Sequence, residues 1–283
     1  MGAAPTSYSE RSMNLRKPSA SSLDALIARL QLRLNARATA ATREWWTKYL
    51  RGAASFRGVK MGDVRAAVHG WFEEEQLGKL LSADQQKDLA LMLLEEEYTE
   101  DKLAGVLFLQ EILLPEGALY WRSDLSRFAR LFDEGYIGDW SICDWFCVKV
   151  LGALVAQQGE PCARAISEWR EAESVGQRRA SVVAFANLAS KGDENFAGFT
   201  EMMLNDCSRL LESQERFAQT GAGWVLRELS RSDQGRVIGF VEANLIRFSR
   251  EALKNAIKYL PPDVKERLLR AHLPSDTRGL RRR

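Results

Sequence analysis

From Leu23 onward the apolar residues recur at helical spacing with few breaks. Leu23-x-x-Leu26-Ile27-x-x-Leu30 places four side chains on one helix face, and Leu89-x-Leu91-Met92-Leu93-Leu94 closes a second apolar helix. Ser82-Ala83-Asp84-Gln85, just ahead of that helix, has the form of a capping box. Prolines fall at boundaries: Pro115 ends the run Gly105 to Leu114, Pro161 opens a helix, and Pro261-Pro262 opens the last one. No segment alternates with period two, so no sheet is expected. The pattern predicts an all-α chain.

Small residues near the starts of apolar helices recur at Ala104, Cys143, Ala180 and Ala222, with spacings of 143−104=39, 180−143=37 and 222−180=42. HEAT and armadillo repeats have periods of roughly 40–47 residues, so the spacing predicts antiparallel helix pairs stacked into a curved solenoid with one concave surface. Small residues at equivalent places would let successive helices approach closely. The expected organisation is a flexible tail over 1–21, one repeat domain over 22–272, and a basic tail over 273–283 ending in Arg281-Arg282-Arg283. The Arg- and Ser-containing first tail also fits an organelle transit peptide.

Asp139 is a candidate N-cap for an apolar run reaching Val155, on which Trp140 and Asp144 are i, i+4 neighbours. Against the repeat markers, Asp144 lies one position after Cys143, Arg179 one before Ala180, and Trp224 two after Ala222. Equivalent positions line one face of a solenoid, so an acid, a guanidinium and two indoles are expected along the concave groove. A carboxylate beside aromatic walls suits a reaction that develops positive charge. Taken singly each has a plainer reading: Asp144 as a helix-dipole partner, Arg178 and Arg179 as a surface ion pair, and Trp224 as core. Trp45, Trp46, Trp71, Trp121, Trp145 and Trp169 are read as core, and His69 as a satisfied helix residue.

Composition narrows the chemistry. The cysteines are Cys143, Cys147, Cys162 and Cys207, with no CxxC pair, and the histidines are His69 and His272, so thiolate or imidazole zinc chemistry has almost no ligands. Cys143 and Cys147 share a helix face and are read as packing. No uninterrupted run of about 18 apolar residues occurs, and no membrane partner is expected. Net charge is only +2, but its distribution is uneven. Trp71 to Glu111 carries 11 acidic and 3 basic residues, whereas Val264 to Arg283 carries 7 basic and 2 acidic. One face or end is therefore suited to a polyanion.

Phe56-Arg57-Gly58-Val59, Trp140-Ser141-Ile142-Cys143-Asp144, Gln177-Arg178-Arg179-Ala180 and Gly223-Trp224-Val225-Leu226-Arg227-Glu228 resemble, in order, segments of the AlkD-type DNA alkylation repair glycosylases. The resemblance covers roughly Ala40 to Leu260. It implies a HEAT-like superhelix that wraps double-stranded DNA carrying alkylated purines. It further implies hydrolysis of the N-glycosidic bond of N3- and N7-alkylated purines without metal or cofactor. Its Trp-x-x-x-Asp motif falls on Trp140 and Asp144, its arginine on Arg179 and its second tryptophan on Trp224. Asp144, Trp140 and Trp224 are thus the implied catalytic group. Ser174-Val175-Gly176 departs from the family pattern, which often has a tryptophan before the arginine pair. DNA-backbone contacts are expected from Arg179, with Arg178 as a weaker one, and from Arg57, Lys60, Arg247, Arg250, Lys254 and Lys258. The alternative is a non-catalytic HEAT-repeat scaffold binding DNA or protein. A monomer is expected, located in nucleus, cytosol, nucleoid or organelle.

Overall fold

The computed structural model describes residues 20–272; the expectations for 1–19 and for the basic tail 273–283 lie outside them. The first helix begins at Ala20, inside the expected flexible tail. In chain order the helices are α1 (Ala20–Asn35), α2 (Ala40–Tyr49), α3 (Met61–Glu74), α4 (Leu77–Leu80), α5 (Ala83–Glu95), α6 (Thr99–Phe108), α7 (Trp121–Asp133) and α8 (Trp140–Phe146). They continue with α9 (Gly152–Ser167), α10 (Val175–Val183), α11 (Phe199–Leu210), α12 (Arg216–Leu229), α13 (Gln234–Asn244), α14 (Arg250–Ala256) and α15 (Pro262–Ala271). Among the described residues there is no strand; Ser55 and Tyr98 form an isolated bridge.

The helices form two layers. The inner row runs α3, α6, α8, α10, α12, α14, each touching the next. Outer helices α5 and α11 pair with α6 and α12. This is an all-α, HEAT-like solenoid. The repeat is visible in its cross-links: Trp145 to Gln110, Arg178 to Glu215, Arg216 to Glu251 and Ser167 to Asp206 each join residues 35 to 39 apart. A π-helical turn recurs at the same offset, at Leu109–Leu113 and Cys147–Leu151.

Local signals act as the pattern predicts. Leu23, Leu26, Ile27 and Leu30 are buried together. Ser82 and Gln85 cap α5 reciprocally, and Pro262 occupies the first turn of α15. The markers Ala104, Cys143, Ala180 and Ala222 are all fully buried. Helix contact is closer still at neighbouring glycines: a Cβ on Gly152 would lie 2.4 Å from the Ala184 carbonyl oxygen, and one on Gly223 2.6 Å from that of Ala252. Residues Trp140–Glu171 form the one stretch among those described that is long and apolar enough to cross a bilayer. Gly159, at φ +71°, breaks it, and Ile142, Phe146, Leu151 and Ile166 are buried among neighbouring helices. Its apolar surface is spent on packing.

Of the tryptophans read as core, Trp71 and Trp169 are buried, whereas Trp46, Trp121 and Trp145 are half-buried. Trp45 corrects the reading. Helix α2 buries none of its residues, so Trp45 stacks in solvent on Tyr49, 5.2 Å between ring centres. His69 hydrogen-bonds Glu111 at 2.7 Å, satisfied as expected.

Candidate functional site

Asp139 starts α8 by accepting from the backbone N–H of Ser141 (2.8 Å) and Ile142 (3.1 Å). Within that helix Ile142, Cys143 and Phe146 turn into the core, which leaves Trp140 and Asp144 on the side facing α10 and the concave surface. Trp140 remains 40% exposed and meets Tyr49 edge to face at 5.6 Å. Cys143 and Cys147 lie sulfur to sulfur at 3.9 Å in the core, and burial pushes the Cys147 thiol well above its ordinary value.

Helix α10 delivers Arg179. The Ser174 hydroxyl accepts from Gln177 N–H and donates to the Phe132 carbonyl, fixing the helix start on α7. A Cβ on Gly176 would lie 3.2 Å from the Phe132 ring, so the helix start docks closely on α7 there. Gly221 clears the path for the arginine stem, since a Cβ there would sit 3.2 Å from Arg179 Cγ. The guanidinium then grips Asp144 with two parallel bonds, Nε to Oδ1 at 2.7 Å and Nη2 to Oδ2 at 3.0 Å. Nη1 donates to the Phe217 carbonyl (2.7 Å) and Thr220 Oγ1 (3.1 Å), and the group lies 4.5 Å over the Phe217 ring. Burial alone would lower the Arg179 pKa; hydrogen bonds and charge from Asp144 outweigh it, holding it above the ordinary value.

The inner surface opens here into a groove of about 760 Å³ lined by Tyr49, Leu50, Arg51, Trp140, Arg179, Arg216, Phe217, Thr220, Glu251 and Asn255. The structure thus brings Asp144, Arg179 and Trp140 together. Trp224 is not among the groove-lining residues; it is half-buried against the core on α12, one helical turn beyond Thr220, with the Arg227 guanidinium 5.9 Å from its ring. Among the described residues no ring contact or hydrogen bond joins it to Asp144 or Trp140.

In free protein several of the expected phosphate-contact residues have partners within the chain. Arg179 directs four of its five N–H donors to Asp144, the Phe217 carbonyl and Thr220, while it also lines the groove. Arg178 donates to the carbonyls of Ala172 and Glu173 and pairs with Glu215 at 2.5 Å. Arg57 is bound to Asp101 through Nε and Nη2 and to Asn35 through Nη1, with its side chain 10% exposed. Its own turn is held by Glu100, which accepts from the N–H groups of Arg57, Gly58 and Val59. The Phe56–Val59 motif is therefore a structural latch. Arg247 reaches Ser208 on α11 and Glu212 in the turn after it. Lys60 caps α3 beside a separate apolar cleft with Trp45, Trp46 and Met61. Arg250, Lys254 and Lys258 are exposed at and beyond α14. The groove-facing residues of α14 are Glu251 and Asn255, so Arg250 and Lys254 stand about 100° round the helix from them.

Groove residues missed in the sequence are Tyr49, Leu50, Arg51, Arg216, Phe217, Thr220, Glu251 and Asn255. Phe217 and Thr220 were within reach, since they share the helical face of Trp224. Tyr49 and Arg51 were not, because α2 falls outside the repeat markers. Arg51 has φ +52°, unusual for a residue with a side chain, and projects from the turn after α2.

The profile of a family described as DNA alkylation repair enzyme matches residues 30–260. The chain belongs to that family. No curated protein matches it. Among solved structures, a predicted DNA alkylation repair enzyme from Enterococcus faecalis is similar in fold. Its TM-score is 0.67 at 15% identity, and the match covers 80% of this chain and 98% of that one. Family membership carries a role in DNA alkylation repair and DNA as the substrate.

Proposed function

We propose that the protein is a monofunctional DNA glycosylase that hydrolyses the N-glycosidic bond of cationic N3- and N7-alkylated purines in duplex DNA. Its support is the Asp144 carboxylate, 19% exposed and held at each oxygen by Arg179, with Arg179 and the exposed Trp140 lining an open groove. An alkylated purine already carries positive charge, so it departs with the bonding electron pair as a neutral base and needs no strong acid. Charge then develops on the deoxyribose, with oxocarbenium character. Asp144 opposes that charge and accepts a hydrogen bond from the attacking water. The Arg179 fork occupies two of about four acceptor sites on the carboxylate, leaving the others for sugar and water. Trp140 and Trp224 offer π faces to the cationic sugar–base unit, each contact worth about 0.5–2 kcal/mol. Water adds at C1′, its proton passes to Asp144 or solvent, and the products are free base and an abasic site.

Incubation with methylated duplex DNA and chromatography of released bases tests this. Wild-type chain should release N3- or N7-alkylpurine, and Asp144→Asn should lose at least about 10²-fold in rate while still binding duplex. Duplex binding without release by the wild-type chain would instead identify a non-catalytic scaffold.

A further inference from the structure

With Arg179 committed to Asp144, another cation must meet the phosphates beside the carboxylate. Arg216, in the first turn of α12, lines the same groove as Trp140 and Arg179, and its side chain is 74% exposed. It is held in a fork by Glu251 of α14, Nε to Oε2 at 2.7 Å and Nη2 to Oε1 at 2.6 Å. Glu251 is itself 52% exposed and lines the groove. An acidic side chain in a cradle for a polyanion repels the ligand unless it is neutralised. A planar carboxylate filling an arginine fork also imitates the geometry with which that fork takes two phosphate oxygens.

We propose that Arg216 is a phosphate clamp for the DNA strand in the groove and that Glu251 is its placeholder, displaced when phosphate enters. Glu251 holds the guanidinium extended into the groove in free protein, so the side chain does not have to be ordered at the moment of binding. An exposed ion pair is weak and is readily exchanged for a phosphate contact that also releases condensed counterions. The inference rests on the groove being the DNA cradle, but not on Asp144 being catalytic.

The decisive variant is the isoelectric pair Arg216→Gln/Glu251→Gln, which removes the fork without changing net charge. Binding to undamaged duplex is measured across about 50–200 mM salt by anisotropy, with circular dichroism melts to match folding. The double variant should bind more weakly, with the slope of log K against log salt shallower by about 0.9, the share of one phosphate contact. Over that fourfold range this removes about 3.5-fold from the loss in affinity. Glu251→Gln alone should bind more tightly than wild type. A double variant that keeps the wild-type affinity and slope overturns the clamp, because a merely structural neutral pair can be deleted without consequence to binding. Wild-type chain lacking salt-dependent duplex binding overturns the cradle and the clamp together, whereas base release without the slope change overturns the clamp alone.

Discussion

At the scale of single residues the decisive feature is a division of labour between two guanidiniums. Arg179 is buried, with four of its five N–H donors bonded; the exposed Arg216 guanidinium is forked by Glu251. The same residue type therefore serves alignment in one place and ligand capture in the other. Arg179→Ala leaves Asp144 without its partner in a largely dry setting and should cost about 3 kcal/mol in a urea melt, with base release falling in parallel. Arg179→Lys keeps the charge but not the two-bond fork, so it should recover stability better than activity. The buried acid Asp206 predicts a pH dependence. Burial, opposed by the Ser167 hydroxyl and Arg170, raises its pKa from 3.8 to about 7. The native state then binds the proton more tightly than the unfolded chain. The associated stability is complete below pH 3.8 and is lost as pH rises through about 7. Chemical denaturation across this range should show wild type losing on the order of a few kcal/mol relative to Asp206→Asn.

At the scale of helices the site exists because inner helices stack at backbone contact. Gly152 and Gly223 let neighbouring carbonyls approach to 2.4 and 2.6 Å of where a Cβ would stand. Gly223→Ala wedges α12 from α14 and should lower stability by roughly 1–3 kcal/mol. It should also weaken duplex binding, since Arg216 and Glu251 sit on those two helices. The sequence revealed this architecture through its period: Ala104, Cys143, Ala180 and Ala222 mark the inner row and are buried together. The same register put Asp144 and Arg179 within bonding distance, although the sequence could not show that they would bond to each other rather than to DNA. Helix α2 escaped the pattern. It carries Tyr49 to the groove through ring contacts and through Arg43 hydrogen bonds to the Arg57 carbonyl, and such irregular contacts leave no periodic trace.

At the scale of the molecule the chain is a cradle whose charge is arranged by position and not by total. Net charge is +2, and the basic residues expected to bind DNA are scattered between groove, latch and outer layer. Duplex affinity should nevertheless fall steeply with salt, because Arg51 and Arg216 line the groove. A flat response in a titration from about 50 to 200 mM would count against the cradle. Of the six other expected backbone contacts, only Arg250, Lys254 and Lys258 remain exposed beside the α14 wall, while Lys60, Arg57 and Arg247 are placed elsewhere.

The sequence by itself determined the helices, their caps, their repeat and the neighbouring inner helices that carry Asp144 and Arg179, because all of these follow from spacing along one chain. Only the tertiary structure decided what each charge does. A guanidinium's role depends on which carboxylate or carbonyl lies within 3 Å, and for Arg57, Arg178, Arg179 and Arg216 those partners include residues 35 to 44 positions away.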